Sequence, residues 1–232
     1  MPRIKDSYAF ANTTKTIGYM NSFNIVASVS SIEEVIKAEE EGADIIELRI
    51  DMVKRPDEEF FISFFKTVDK PIIATCRIKA EGGFCEEDEQ FDLLRSVLKF
   101  CDYVDIELSS KNLSKVRDIC KDLKIKTIVS YHDFEETPPE AKMRRIIREC
   151  KDAGEMAKVA FFAKKMSDVL LLEKMTMENS PIISISMGEI GKISRITLPF
   201  YGSLFTYAFV GEKKAPGQFH LKELENIFTS FR

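Results

Sequence analysis

Short β-branched and apolar runs alternate along the chain with longer, charged amphipathic segments. We count eight such runs, and each has the length and composition of a buried β-strand. They span residues 24–29, 43–50, 71–78, 103–108, 126–132, 156–162, 181–187 and 203–209. The alternation predicts eight βα units around a parallel sheet.

The segments between the runs carry the signals of helices. In "SIEEVIKAEEEG", Ser31 stands at the expected N-cap and Gly42 at the expected end. The last helix is predicted in "HLKELENIF", where His220 is expected either to cap the helix or to decorate its start. No linker rich in Gly, Pro or Ser interrupts the pattern, so we expect residues 1–232 to form a single domain, with residues 1–22 as an extension.

Eight units in a little over two hundred residues match the (β/α)8 TIM barrel. A doubly wound open sheet is the alternative, but it usually carries a glycine-rich turn after its first strand, where this chain has "SVSSIEE". In a barrel, one face of each strand points inward and the other packs on helices. A barrel therefore predicts that polar residues fall in register on one face.

Five runs meet this condition, because charged or titratable side chains share one face while apolar side chains dominate the other. The inward set comprises Glu47, Arg49, Arg77, Asp105, Glu107, Ser130, His132 and Lys158. Several of these stand at the C-terminal ends of strands, where barrel enzymes build active sites. A purely structural core would not be filled in this way.

Lys158 lies in the middle of an apolar run, "EMAKVAFFAKK", on the face it shares with Met156 and Ala160. An isolated ammonium ion in apolar surroundings tends to give up its proton, and the neutral amine can attack a carbonyl to form a Schiff base. The alternative is a strand lysine that extends its ammonium group to solvent. The apolar residues that follow Lys158 make that escape harder.

Two further residues are candidates for proton transfer. His132 ends the fifth run inside "SYHDF", and an imidazole that titrates near neutrality can act as general acid and base. Its alternative is a histidine that packs in the core or caps an element. Glu81 precedes Gly82 and Gly83 in the loop after the third run, as a surface acid or as the group that orients the histidine.

The remaining candidates are binding groups. Two roles are open for the charged residues Glu47, Arg49 and Arg77. They are expected to form a buried ion network or a polar rim that binds hydroxyl and carboxylate groups, and the two roles are compatible. Arg195 follows the seventh run in "GEIGKISRI". Gln218 follows the eighth run in "GEKKAPGQF", a connection that is either a lid over the barrel mouth or a turn before the last helix.

Composition narrows the function mainly by exclusion. With 44% hydrophobic and 31% charged residues and a net charge of −4, the chain is typical of a globular protein and has no basic footprint for nucleic acid. No apolar run approaches the ~20 residues of a membrane span, and the first twenty residues are polar, so we expect a cytoplasmic protein without membrane attachment. The five cysteines form no C-x-x-C pair, and we expect free thiols.

Six segments together resemble type I 3-dehydroquinate dehydratase, from about residue 24 to the C-terminus. They are "ELRID", "TCRIKAEGG", "SYHDF", "KVA", "SMGEIGKISR" and "APGQ", in that order and each at the expected strand end. The resemblance implies a (β/α)8 barrel that needs no metal or other cofactor. It also implies a hydro-lyase of the shikimate pathway, which converts 3-dehydroquinate to 3-dehydroshikimate by a Schiff-base syn elimination of water, and a homodimer.

The same resemblance implies a role for each candidate residue. Lys158 would form the imine with the ketone of 3-dehydroquinate, and His132 would remove the C2 proton and return a proton to the departing C1 hydroxyl. Glu81 would orient His132. The substrate-binding residues implied are Glu47 and Arg77 at the ring hydroxyls, Arg195 at the carboxylate, Gln218 on the closing loop and Arg49 in support.

One position departs from the family pattern. Many relatives carry a serine before "APGQ", where this chain has Lys214, so its ammonium group either replaces the hydroxyl or points away. Relatives often close the barrel bottom with a short hairpin, which is the structure we expect for residues 1–22.

Two other functions remain open from the sequence. A class I aldolase or a transaldolase also forms a Schiff base in a barrel, but it requires a phosphate site, typically in glycine-rich loops after the seventh and eighth strands. "SMGEIGKISR" and "KKAPGQ" supply an arginine and a glutamine there, which suit a carboxylate better. The second is a barrel that binds a ligand or a partner without catalysis.

Overall fold

The computed structural model describes residues 23–231, in which nine parallel strands form one continuous sheet. The predicted N-terminal hairpin at residues 1–22 lies outside the described residues. The strands are β1 Asn24–Val29, β2 Ile45–Arg49, β3 Ile72–Thr75, β4 Tyr103–Glu107, β5 Lys126–Asp133, β6 Met156–Phe162, β7 Ile183–Met187, β8 Phe205–Phe209 and β9 Phe219–His220. The α-helices are α1 Ile32–Glu40, α2 Glu58–Thr67, α3 Glu87–Val97, α4 Leu113–Leu123, α5 Glu140–Ala153, α6 Met166–Asn179, α7 Gly188–Gly191, α8 Ser194–Phe200 and α9 Leu221–Thr229.

The strand order closes the sheet into a barrel. Strands β1 to β7 pair in sequence order, and β8 pairs with β1. The remaining junction is a parallel bridge between Ile182 and Ser203, with the Leu204 N–H donating to the Ile182 carbonyl over 2.8 Å. The short β9 pairs with the C-terminal half of β8. This arrangement confirms the (β/α)8 barrel. It excludes the doubly wound sheet, because the two edge strands of such a sheet do not pair with each other.

The predicted alternation of faces is also confirmed. Ile46 and Leu48 of β2 belong to the apolar layer between the strands and the helices. A second apolar cluster, which includes Val26, Ile73 and Ile128, fills the barrel interior. Polar side chains of the inward faces therefore lie above this apolar plug, at the C-terminal ends of the strands.

Local signals determine several helix ends. The Ser31 hydroxyl accepts the Glu34 N–H over 3.2 Å at the start of α1. His220 is the N-cap of α9, the first of its two expected roles, and its Nδ1 accepts the Lys222 N–H over 3.3 Å. Side-chain oxygen or nitrogen acceptors at an N-cap satisfy backbone N–H groups that the helix leaves unpaired.

The segment between β7 and β8 is helical, although no specific helix was identified there from the sequence. The structure forms two short helices, α7 and α8. Gly188, Gly191 and Pro199 lower the helix propensity of this segment, so tertiary packing decides its conformation. The helices matter for function because Arg195 lies in the first turn of α8.

None of the helices in residues 23–231 combines the length and the apolar composition required to cross a bilayer.

Candidate active site

A cleft opens at the C-terminal ends of the strands, with about 530 Å³ of empty volume that includes solvent at its mouth. All the predicted site residues line it, namely Glu47, Arg49, Arg77, Glu81, His132, Lys158, Arg195 and Gln218. The cleft therefore brings the candidate catalytic and binding groups together.

Lys158 is buried at the centre of the cleft, on β6. Its residue exposure of 4% rules out the alternative in which the ammonium group reaches solvent. The expectation of apolar surroundings is wrong, however, because Nζ lies 2.8 Å from Asp105 Oδ2 and 3.9 Å from Glu47 Oε1. Nζ also lies over the ring of Tyr207, 4.4 Å from its centroid. The amine therefore has a carboxylate partner and an aromatic wall.

Asp105 joins the two cations of the site. Its Oδ1 accepts from Arg77 Nη2 over 2.7 Å while Oδ2 faces Lys158. Burial alone would raise the pKa of this carboxyl, but the charges of Arg77 and Lys158 outweigh burial and hold its pKa well below the usual range. Asp105 is therefore a fixed negative charge beside the amine and not a proton acceptor.

Arg77 lies just beyond β3 and is part of a buried ion network. Its Nη1 donates to Glu107 Oε1 and to Ser130 Oγ, both over 2.8 Å. Burial alone would lower its pKa, but the carboxylates of Asp105 and Glu107 raise the pKa well above its ordinary value. Arg77 thus connects β3, β4 and β5 in the manner of the predicted register-fixing network, and it lines the cleft as well.

His132 lies near the end of β5, two residue pairs further along the ladder than Ser130, which pairs with Lys158. Its Nδ1 is 2.9 Å from Glu81 Oε2, and its backbone N–H donates to the same oxygen over 3.0 Å. Burial and the charges of Arg77 and Lys158 lower its pKa well below the ordinary value. The imidazole is therefore neutral at neutral pH. With Nδ1 protonated toward Glu81, Nε2 carries the lone pair of a base.

Glu81 is held over the histidine by a tight loop. Burial raises the pKa of its carboxyl to about 7, although the Ser109 hydroxyl donates to Oε1 over 2.6 Å. The two glycines that follow are sterically required. Gly82 has a φ of +77°, and a Cβ on Gly83 would lie 2.0 Å from the Arg77 carbonyl oxygen. The sequence "EGG" thus folds the acid back onto the base.

Glu47 and Arg49 occupy the end of β2. Glu47 accepts from Ser28 Oγ over 2.5 Å and from Thr75 Oγ1 over 2.9 Å. Arg49 forms a two-bond pair with Asp51, at 2.9 Å and 2.7 Å. Glu47 thus presents a buried carboxylate to the cleft, and Arg49 is tied down at its rim.

Arg195 differs from the other cations because no acidic residue among those described forms an ion pair with it. Its exposure is 2%, its Nε has no hydrogen-bond partner within residues 23–231, and its Nη1 reaches only the Tyr207 carbonyl, at 3.5 Å. Burial lowers the pKa of this guanidinium to about 10, which leaves it charged at neutral pH. A buried cation without an anion is a strong binding group for an anionic ligand.

The loop between β8 and β9 folds across the cleft. Gln218 Oε1 accepts the backbone N–H groups of Lys214 over 2.8 Å and of Ala215 over 2.9 Å. The Lys214 ammonium points to Glu34 Oε1 at 2.8 Å and to Ser30 Oγ at 3.1 Å. Of the two alternatives for Lys214, the structure therefore shows an ammonium that pairs with the β1–α1 connection and the start of α1.

Sequence reasoning did not assign three residues of the site. Asp105 was recognised as inward-facing but received no role, and Ser28 and Tyr207 were not considered. The same alternation that selected Lys158 places Tyr207 on the inward face of β8, next to Val26 in the ladder. A tyrosine at an inward-facing position of a strand was therefore the sequence signal that could have identified Tyr207 as a site residue.

Metal ligation has no basis in the described residues. Among residues 23–231, no group of three or more His, Cys, Asp or Glu side chains is arranged to hold a metal ion.

The chain shows extensive similarity to known proteins. Residues 25–232 match the model of the family described as Type I 3-dehydroquinase. The 3-dehydroquinate dehydratase of Methanocaldococcus jannaschii is 40% identical over 210 residues, 85% of this chain and 93% of that protein. The one from Methanocella arvoryzae is 37% identical over 203 residues, 86% of this chain and 93% of that protein.

Solved structures agree with this assignment. The crystal structure of the 3-dehydroquinate dehydratase from Aquifex aeolicus VF5 superposes with a TM-score of 0.82 at 34% identity, over 90% of this chain and 99% of that one. The enzyme from Geobacillus kaustophilus HTA426 gives 0.84 at 26% identity, over 90% and 91%. On these similarities and on the geometry of its cleft, the chain belongs to the type I 3-dehydroquinase family.

Proposed function

We propose that the protein is a 3-dehydroquinate dehydratase, which removes water from 3-dehydroquinate to give 3-dehydroshikimate through a Schiff base on Lys158. The observation that carries the proposal is the buried Lys158 amine, which faces the same cleft as a neutral histidine and an arginine that has no acidic partner among the described residues. In this role the enzyme serves the shikimate pathway toward chorismate and the aromatic amino acids.

Imine formation begins when Lys158 releases one proton to water and its neutral nitrogen attacks the ketone carbon of the substrate. The carbonyl oxygen takes one proton from the nitrogen and one from water and leaves as water, and the nitrogen becomes a positively charged protonated imine. Asp105, at 2.8 Å, pairs with the amine before the reaction and with the imine cation after it. A fixed negative charge at this point favours the protonated imine, which is the form that withdraws electrons from the adjacent carbon.

His132 then performs both proton transfers. Its neutral Nε2 takes the proton from C2, and the electron pair moves into the C–N system to give an enamine. The enamine electrons expel the C1 hydroxyl, which receives the proton from the His132 imidazolium and leaves as water. Because one base serves one face of the ring, the elimination is syn. Glu81 holds the imidazole in the required tautomer.

The final step returns the enzyme to its starting state. A water molecule adds to the imine carbon, the C–N bond breaks, and 3-dehydroshikimate is released with the regenerated Lys158 amine.

Substrate recognition follows from the charges of the cleft. We assign the substrate carboxylate to Arg195, whose buried guanidinium has no acidic partner within residues 23–231. We assign the ring hydroxyls to Glu47 and Arg77, which line the cleft. Gln218 uses Oε1 to hold the loop, so its NH₂ end supplies donors to the ligand. Arg49 supports the rim through Asp51.

We also propose that the enzyme is a single-domain barrel that works as a homodimer in the cytoplasm. Met166, Leu170 and Met177 support the dimer, because they are exposed apolar side chains that lie within about 40° of one another around α6. Light scattering coupled to gel filtration tests the oligomeric state, and a monomeric mass at micromolar concentration contradicts it.

Borohydride reduction in the presence of 3-dehydroquinate tests the function. The wild-type chain is expected to form the conjugated enone product, which is measured by its ultraviolet absorbance. It is also expected to gain a covalent adduct, and peptide mapping should locate this adduct on Lys158. Lys158→Ala should abolish turnover and trapping. Lys164→Ala, at an exposed lysine two residues beyond β6, should retain both.

A second variant separates the proton path from imine formation. His132→Ala should still trap the ligand but lose about 10²- to 10⁴-fold of the rate, the usual contribution of general acid–base catalysis. Normal turnover by His132→Ala refutes the assigned proton path. Absence of any adduct in the wild-type enzyme refutes the proposed function.

A further inference from the structure

Tyr207 carries a hydroxyl group that is buried in the fold and has no hydrogen-bond partner among the described residues. The residue is 3% exposed. Buried polar groups are nearly always hydrogen-bonded, because the lost interaction with water is otherwise uncompensated. A phenylalanine would fill the same space without this penalty, so packing alone does not account for the hydroxyl.

The position of Tyr207 relates it to the reacting centre. It lies on the inward face of β8 and lines the cleft. The Lys158 amine lies over its ring, 4.4 Å from the centroid. A ligand joined to that amine therefore rests beside the tyrosine, with the phenolic oxygen at the edge of the ring.

Arg195 is the neighbour that indicates what the hydroxyl binds. Its Nη1 contacts the Tyr207 main-chain carbonyl at 3.5 Å, and its Nε, like the Tyr207 hydroxyl, is buried without a partner in the described residues. Guanidinium N–H groups are donors only, and a phenol that remains protonated is a good donor. Burial, with the charges of Glu47 and Asp105, raises the pKa of Tyr207 well above its ordinary value, so the hydroxyl keeps its proton.

Two donors that share one ligand group require that group to be an acceptor. A ring hydroxyl must place its own proton as well, whereas a carboxylate offers two oxygens with several lone pairs and no proton. We propose that the Tyr207 hydroxyl donates a hydrogen bond to the carboxylate that Arg195 holds, which makes Tyr207 a further substrate-binding residue. This inference rests on the proposed function and deepens it.

The test is Tyr207→Phe, which removes one oxygen and keeps the ring against Lys158. We expect KM for 3-dehydroquinate to rise about tenfold, as for the loss of one hydrogen bond to a charged group, with kcat changed less than about threefold. Tyr103→Phe is the matched control, because Tyr103 also lies in the barrel interior but does not line the cleft. This control should leave KM unchanged.

Thermal unfolding provides a readout that a structural role would not produce. Because the hydroxyl has no hydrogen-bond partner in the part of the chain that the structure describes, Tyr207→Phe should be as stable as the wild type or more stable without ligand. With 3-dehydroshikimate at a fixed millimolar concentration, the rise in unfolding temperature should be smaller in the variant. If the hydroxyl has a structural role instead, the variant without ligand should be less stable than the wild type, and the ligand should raise both unfolding temperatures by the same amount.

A ligand change identifies the group that is bound. An analogue in which hydrogen replaces the carboxylate should bind the wild type and Tyr207→Phe equally. An equal loss for both ligands, or a KM within twofold of the wild type, overturns the inference while the dehydratase activity stands. Absence of activity in the wild-type enzyme refutes the proposed function instead, so the two failures are distinguishable.

Discussion

Replacement of Asp105 by asparagine tests how the barrel supports the protonated imine. The carboxylate lies 2.8 Å from the Lys158 nitrogen. At that distance, two unit charges attract by about 6 kcal/mol with an effective dielectric constant of about 20. If solvent and rearrangement compensate for half of this, Asp105→Asn removes about 3 kcal/mol of preference for the charged imine, equivalent to about two pH units.

This loss predicts a characteristic pH profile. At pH 7 the kcat of Asp105→Asn should be about 10²-fold lower than that of the wild type, because less of the imine is protonated. The rate should recover as the pH falls toward 5, because protons restore the imine cation. Burial and nearby cations lower the pKa of His132 well below its ordinary value, which favours the neutral base as the pH falls.

Continuous measurement of enone absorbance from pH 5 to 8 gives the profile. Asp102→Asn is the control, because Asp102 precedes β4 at the opposite end of the barrel and accepts the Ile72 N–H over 2.9 Å. Thermal unfolding monitors the cost of leaving Arg77 and Lys158 with one carboxylate fewer, about 3–5 kcal/mol. A folded Asp105→Asn with a kcat within threefold of the wild type at pH 7 refutes this reasoning.

Two further perturbations follow from the contacts of the cleft. The pKa of Glu81 is about 7 in the folded protein against an ordinary 4.5, so the native state binds more protons between these values and its stability falls as the pH rises through this window. Glu81→Gln should remove this pH dependence of the free energy of unfolding, which amounts to up to about 3 kcal/mol between pH 5 and 8 and is measured by urea unfolding. If the free energies of variant and wild type change in parallel with pH, the raised pKa does not belong to Glu81. Lys214→Met should raise KM up to about tenfold by loss of the charged hydrogen bonds to Glu34 and Ser30, with a small change in kcat. Lys213→Met, at an exposed neighbour, is its kinetic control, and equal KM values for the two variants speak against a role of the pair in holding the loop.

Much of the site was predictable because its residues obey a local rule. Successive side chains of a strand point to opposite faces, so Glu47, His132 and Lys158 had to share the barrel interior once the strands were recognised. The glycines in "EGG" and in "APGQ" likewise indicate positions where a residue with a side chain would be strained or would clash. Gly217, for example, has a φ of +72°, in the left-handed region that favours glycine.

The partners of these side chains were not predictable. Lys158 and Asp105 are 53 positions apart, and Lys214 and Glu34 are 180 apart. Which donor faces which acceptor depends on strand order, on register and on the closure of the sheet. A buried cation such as Arg195, which has no acidic partner in residues 23–231, is recognisable only when its neighbours are in place.

The sequence by itself determined that eight strands alternate with helices and that a lysine, a histidine and several charged groups point to one interior, because hydrophobic periodicity is a property of neighbouring residues. Only the tertiary structure decided that the lysine is paired with Asp105, that α7 and α8 form against their propensity, and that the Tyr207 hydroxyl and the Arg195 Nε are buried without hydrogen-bond partners among the described residues. These features depend on distances across the barrel, and the chain creates such distances only when it folds.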